Sequence, residues 1–128
     1  MATVQMTTAD FKSKVFNYDT ESEWKFKGSV PAIIDFYADW CGPCKAIAPT
    51  LEELSNQYDG QLMIYKIDTD KEAELSSIFG IQSIPTLLFI PKDGAPMMQK
   101  GALPKNVLTN IIEERLLNNK DADVEETL

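Results

Sequence analysis

The chain has 128 residues, with 12 Lys and Arg against 20 Asp and Glu, a formal net charge of −8 and no histidine. That balance excludes the cation-rich surface that nucleic acid requires, and the missing imidazole excludes Ser-His-Asp and Cys-His catalysis. The length fits one domain able to bury a core without staples, and two cysteines alone cannot complete a structural zinc site.

A short strand near Thr3 to Met6 opens the chain. Thr7 or Thr8 then offers an N-cap to a helix running to about Phe16, with Phe11 and Val15 inward. Residues 17–28 are polar and aromatic without period and read as a long connection. Ala32 to Ala38 is apolar on both faces, which suits a central strand buried on two sides. A helix follows, with Ile47, Leu51, Leu54 and Tyr58 on one face, Pro49 inside it and Gly60 as its stop. Leu62 to Asp68 is a second buried strand. Thr69 and Glu72 form a capping box for a short helix through Phe79, closed by Gly80. Thr86 to Ile90 is a third core strand. Asp93-Gly94 turns into a strand near Met97 to Lys100. Pro104 starts a last helix with Val107, Leu108, Ile111, Ile112 and Leu116 on one face.

The order β-α-β-α-β-α-β-β-α implies an α/β domain: one sheet with helices on both sides, its first three strands parallel and its final hairpin antiparallel. We place that domain at residues 1–120. Asp121, Asp123, Glu125 and Glu126, with no Lys or Arg among them, mark residues 121–128 as an acidic, solvated tail. The N-terminus lacks a basic region followed by an apolar stretch, the pattern of a signal peptide. The default compartment is the cytoplasm, with the periplasm or export as the alternative where a leader has been removed. No apolar run approaches the ~20 residues of a membrane span.

Both cysteines lie in Trp40-Cys41-Gly42-Pro43-Cys44-Lys45. Closing so small a ring stabilises a fold by only about 2 kcal/mol in the chain-entropy account, so the pair is better suited to opening and closing than to stapling. C-type haem attachment needs His where Lys45 stands. At a strand-to-helix junction, backbone N–H groups and the helix dipole favour a Cys41 thiolate. Cys44, one turn along, should lie beneath it and be more buried. Pro43 suits the first helical turn. Asp35 stands inside an apolar run, where burying an ionised carboxylate is costly and raises its pKa. Its residues alone leave two readings, a strand-edge Asp turned to water and a functional acid. Lys66, in the next strand, is either its partner or a surface lysine with a buried stem.

These residues resemble the thioredoxin family. The likeness runs from Trp40-Cys41-Gly42-Pro43-Cys44-Lys45 through Asp35-Phe36-Tyr37-Ala38, Lys66-Ile67-Asp68, Gly80-Ile81, Ile84-Pro85-Thr86, Asp93-Gly94 and Gly101-Ala102, over roughly residues 30–117. It implies the thioredoxin fold, a central mixed sheet of about five strands flanked by four helices. It implies Cys41 as nucleophile, Cys44 as resolving thiol and Asp35 as the buried acid that helps deprotonate Cys44, with Lys66 modulating it. Pro85 reads as trans from base rates, but the resemblance implies a cis bond facing the cysteines. Trp40, Gly42, Pro43, Ile84, Pro85, Gly101 and Ala102 would form the substrate-binding surface. The chain departs from the family in Tyr37, where many members carry Trp, in the length of the 17–28 connection and in the acidic tail.

The implied activity is protein-disulfide reduction by dithiol–disulfide exchange. It needs no bound cofactor beyond the Cys41–Cys44 disulfide. The implied partners are disulfide-containing proteins and an external reductase, either a thioredoxin reductase or a membrane thiol reductant, with the chain as a monomer. Two alternatives are an oxidase or isomerase of the same fold and a non-catalytic binding or chaperone subunit. Oxidising and isomerising relatives commonly carry His before the second cysteine, and this chain has none.

Overall fold

The computed structural model describes residues 2–117. Along the chain these form β1 (Val4–Gln5), α1 (Thr8–Lys14), β2 (Ala32–Tyr37), α2 (Gly42–Gln57), β3 (Met63–Asp68), α3 (Ala73–Ile78), β4 (Thr86–Ile90), β5 (Met97–Lys100) and α4 (Lys105–Ile111). A π-helical turn over Ile112–Leu116 continues α4. The expected end of the domain at residue 120 and the acidic tail lie outside the described residues.

The strands form one sheet in the order β1-β3-β2-β4-β5. β1 and β2 both pair with β3 in parallel, while β4 runs antiparallel to β2 and β5. The first three strands are therefore parallel and the last hairpin antiparallel, as their connections require. β2 is central, and its alternation divides the interior in two. Ile33 joins Ile47, Leu51, Leu54, Leu87, Phe89, Leu108 and Ile112 on the side covered by α2 and α4. Ala32, Ile34 and Phe36 join Phe11, Val15, Ile67 and Leu75 on the side covered by α1 and α3. Because side chains two residues apart share a face, Asp35 and Tyr37 fall on the α2 side with Ile33.

Local signals account for several element ends. Thr7 caps α1: its hydroxyl accepts from Asp10 N–H and the Asp10 carboxylate accepts from Thr7 N–H, each at 3.0 Å. The helix stops at Lys14, two residues short of Phe16. Gly80 adopts φ +62° after α3, a conformation that favours glycine, and its N–H donates to Ser77 O at 2.9 Å. α2 ends at Gln57, and Gly60 turns the chain three residues later.

The Thr69–Glu72 capping box is not formed. Thr69 Oγ1 donates to Tyr37 O at 3.0 Å, and the Glu72 carboxylate accepts from Thr8 N–H at 2.8 Å. Both side chains serve tertiary contacts, so α3 begins without a side-chain cap. The 17–28 stretch contains no helix or strand, as expected of a connection, but it is pinned. Tyr18 Oη donates to Glu74 at 2.6 Å, and Lys12 bridges Asp19 and Glu74 at 2.8 and 3.2 Å. The Phe16 and Trp24 rings pack 5.0 Å apart.

Candidate active site

β2 delivers the chain to the start of α2, and Cys41 is the residue at the junction. Its backbone is extended (φ −87°, ψ 112°), and its Sγ accepts the Cys44 N–H at 3.2 Å. The sulfur thus takes the place that Ser or Asp takes at other helix starts. It sits at the positive end of a 16-residue helix, an environment that stabilises thiolate over thiol. Pro43 lies in the first turn, where its missing N–H leaves no intrahelical bond unmade. Cys41 and Cys44 are joined by a disulfide with Cα atoms 5.3 Å apart. The expectation that Cys44 is the more buried is not met: each residue is 4% exposed. Both pack in one cluster with Ala38, Tyr37 and Ile84, so the wall that covers Cys44 covers Cys41 too.

The loop before β4 faces this disulfide. The Ile84–Pro85 peptide is cis, in agreement with the resemblance and against the base rate. Ile84 O lies 3.7 Å from Cys41 Sγ. Pro85 is buried, and its carbonyl accepts from Gly101 N–H at 2.8 Å. Gly101 has φ +97°, which a side chain would strain. Gly42, Pro43 and Ala102 are exposed, and Ile84 and Gly101 are half-buried. Trp40 is 71% exposed, and its indole N–H donates to Asp70 Oδ2 at 2.9 Å. The structure therefore gathers Trp40, Gly42, Pro43, Ile84, Pro85 and Gly101 around the disulfide, with Ala102 at the margin beside Gly101.

Asp35 is not a strand-edge residue. It is fully buried on the α2 side of the central strand, and neither carboxyl oxygen has a hydrogen-bond partner. Burial pushes its pKa up to about 6, against a smaller opposing pull from the Lys66 ammonium. Lys66 stands directly across from it in the parallel register. Its ammonium rests 4.4 Å from the centre of the Tyr37 ring. A cleft of about 90 Å³ opens beside Cys44, with Tyr37, Ala48 and Lys66 in its walls.

Three residues of this neighbourhood went unassigned in the sequence. Asp70 and Gln5, which bind Trp40 and Tyr37, carry no local signal. Tyr37 carried one: two positions from Asp35 in a strand, it must share that residue's face. A larger cleft of about 450 Å³, between Trp24, Phe26, Lys92 and Gly94, lies at the other end of β2 and β4 from the sulfurs. Among the described residues, no group of three or more Cys, Asp and Glu is arranged to hold a metal.

Known proteins resemble this chain in sequence and fold. Residues 2–114 match the thioredoxin family. A thioredoxin of Borreliella burgdorferi is 50% identical over 111 residues, which cover 87% of this chain and 95% of that one. A thioredoxin of Haemophilus influenzae is 40% identical over 113 residues, covering 88% and 96%. A crystal structure of chloroplastic thioredoxin z superposes with a TM-score of 0.75 at 28% identity, over 89% of this chain and 94% of that one. With its cysteine pair at disulfide distance on a helix start, the chain belongs to the thioredoxin family and is a thiol–disulfide oxidoreductase.

Proposed function

We propose that the pair works in the reducing direction, with Cys41 as nucleophile, Cys44 as resolving thiol and Asp35 as proton acceptor. The observation that carries these three roles is the Cys41 sulfur at the N-cap of α2 with an unpartnered, buried carboxyl on the same side of the sheet. In the dithiol form, the Cys41 thiolate attacks one sulfur of a substrate disulfide. A mixed disulfide forms, and the first substrate thiolate leaves and takes a proton from solvent. Cys44 then gives its proton, relayed by a water, to the Asp35 carboxylate. The Cys44 thiolate attacks Cys41 Sγ, and the second substrate sulfur leaves as thiolate and is protonated. Two electrons pass to the substrate, and the Cys41–Cys44 disulfide is what remains.

Trp40, Gly42, Pro43, Ile84, Pro85, Gly101 and Ala102 form the substrate surface in this reading. Ile84 would present its backbone to an extended peptide, since its carbonyl oxygen lies 3.7 Å from Cys41 Sγ. Lys66 modulates Asp35. Residues 1–120 act as the single catalytic domain. The partners are proteins with accessible disulfides and an external reductase that restores the dithiol.

The direction of exchange rests on what lies between the sulfurs. An imidazole before the second cysteine would stabilise the first thiolate and so favour the reduced form, making the protein an oxidant. Gly42-Pro43 supplies none, and the chain has no histidine at all. Equilibration against a dithiothreitol series should give a midpoint near the about −270 mV characteristic of thioredoxins. A midpoint near about −120 mV, that of a strong oxidant, would reject the reducing direction.

A further inference from the structure

Tyr37 lies across a row of paired residues. Gln5 of β1, Lys66 of β3, Asp35 of β2 and Leu87 of β4 stand side by side in the sheet. From its position two residues beyond Asp35, the Tyr37 side chain reaches over this row, and its hydroxyl donates to Gln5 Oε1 at 3.1 Å. The ring covers Lys66, whose ammonium sits 4.4 Å from its centre, well inside the ~6 Å range of cation–π attraction. The ammonium therefore faces the ring and the cleft beside Cys44, while the Asp35 oxygens have no hydrogen-bond partner.

We propose that Tyr37 is a positioning residue for the proton step: its ring, anchored by Gln5, holds the Lys66 ammonium near Asp35 without letting the two close into an ion pair. This rests on the reading of Asp35 as the proton acceptor for Cys44. The arrangement sets a balance. A lysine paired directly with the carboxylate would hold it ionised and make it a poor shuttle. A lysine released to solvent would leave the carboxyl to burial alone and raise the pH at which it ionises. Held by the ring, the ammonium offsets part of the burial effect.

Other charges surround the site. Asp68 lies across from Tyr37 on β3, Asp39 follows β2, and Lys45 and Glu52 come from α2. Leu87, on the β4 side of Asp35, is uncharged. Glu52 is already bound by the Thr3 hydroxyl and by Thr3 N–H. Burial pushes the Tyr37 phenol up, and the nearby carboxylates of Asp68, Asp39 and Asp35 push the same way against the Gln5 hydrogen bond. The phenol is thus a neutral donor across the working range, and the ring remains a fixed platform.

The test is a carbon-13 NMR titration of the Asp35 carboxyl in the oxidised protein. The variants are Tyr37→Leu, Tyr37→Phe, Gln5→Ala, Lys66→Met and the Tyr37→Leu/Lys66→Met pair. Removing the ring should let the ammonium move to solvent and raise the Asp35 midpoint by about half a pH unit. Tyr37→Phe keeps the ring and should stay within a third of that shift. Gln5→Ala leaves the core intact and should move the midpoint the same way by less, so the proposal is testable even where Tyr37→Leu does not fold. In the Lys66→Met background, Tyr37→Leu should add nothing. An unchanged or lowered midpoint in Tyr37→Leu, or a full additional shift in the double variant, overturns the proposal. The titration reads the ring–lysine coupling whether or not Asp35 serves Cys44. That separate reading fails instead where Asp35→Asn resolves mixed disulfides at the wild-type rate.

Discussion

Cys41→Ser is expected to lower catalysed reduction of insulin disulfides by at least about three orders of magnitude, to the rate of the chemical donor alone. The argument is one of nucleophile chemistry and place. The sulfur at the α2 N-cap accepts an N–H and lies at the positive end of the helix dipole, which stabilises thiolate. A serine hydroxyl in the same seat would accept the same hydrogen bond and preserve the cap. It would remain protonated near neutral pH and form no mixed disulfide. The fold should survive, so thermal unfolding of the variant close to that of the dithiol wild type separates lost chemistry from lost structure. Wild-type activity in a folded Cys41→Ser protein would remove Cys41 from the mechanism and return the chain to a binding or chaperone role.

Asp35→Asn should have two consequences of opposite sign. Resolution of the mixed disulfide should slow at pH 7 by up to about 100-fold, the lower end of what a positioned proton acceptor contributes. The deficit should shrink at high pH, where Cys44 ionises without help. Stability should rise. The folded pKa of Asp35, about 6, exceeds the unfolded value, so the folded state resists ionising this group. Below about pH 4 both states are protonated and Asp35 costs nothing by linkage. As pH rises toward 6, the unfolded state releases its proton first and stability falls. Above that the full cost is present, on the order of 3 kcal/mol for a group this buried. Asparagine has no such titration. Urea unfolding at about pH 4 and about pH 7.5 should therefore show the gap between variant and wild type widening by roughly that amount. A gap that stays constant with pH would mean Asp35 ionises in the fold as readily as in water.

Much of this site was legible in the sequence because its signals are local. The apolar run Ala32–Ala38 followed by the cysteine pair already implied a buried strand feeding a helix start. The spacing of Ile47, Leu51, Leu54 and Tyr58 already gave the buried face of α2. The position of Asp35 in that run implied a burial cost, but not which face it takes. Register settles that, by setting Asp35 between Lys66 and Leu87. The contacts that went unread all depend on pairing between distant segments. Thr69 and Glu72 match a capping pattern, yet Tyr37 O and Thr8 N–H, 32 and 64 positions away, engage them instead. The resemblance implies Trp40 as part of the substrate-binding surface, and its link to Asp70 follows only from the way β3 ends beside β2. The π-helical turn over Ile112–Leu116 keeps Ile112 and Leu116 buried. The helical spacing of those residues is equally compatible with an uninterrupted α-helix.

The central claim is that Cys41 makes the covalent bond to substrate and Cys44 breaks it. The most direct measurement is mass spectrometry of the reduced Cys44→Ser protein after exposure to a disulfide-bonded protein such as insulin. The account predicts a persistent adduct of one substrate chain on Cys41, released by dithiothreitol and absent from the Cys41→Ser/Cys44→Ser protein. The wild type should show no such adduct, because Cys44 resolves it. No adduct in Cys44→Ser, or one that forms equally without Cys41, would contradict the account.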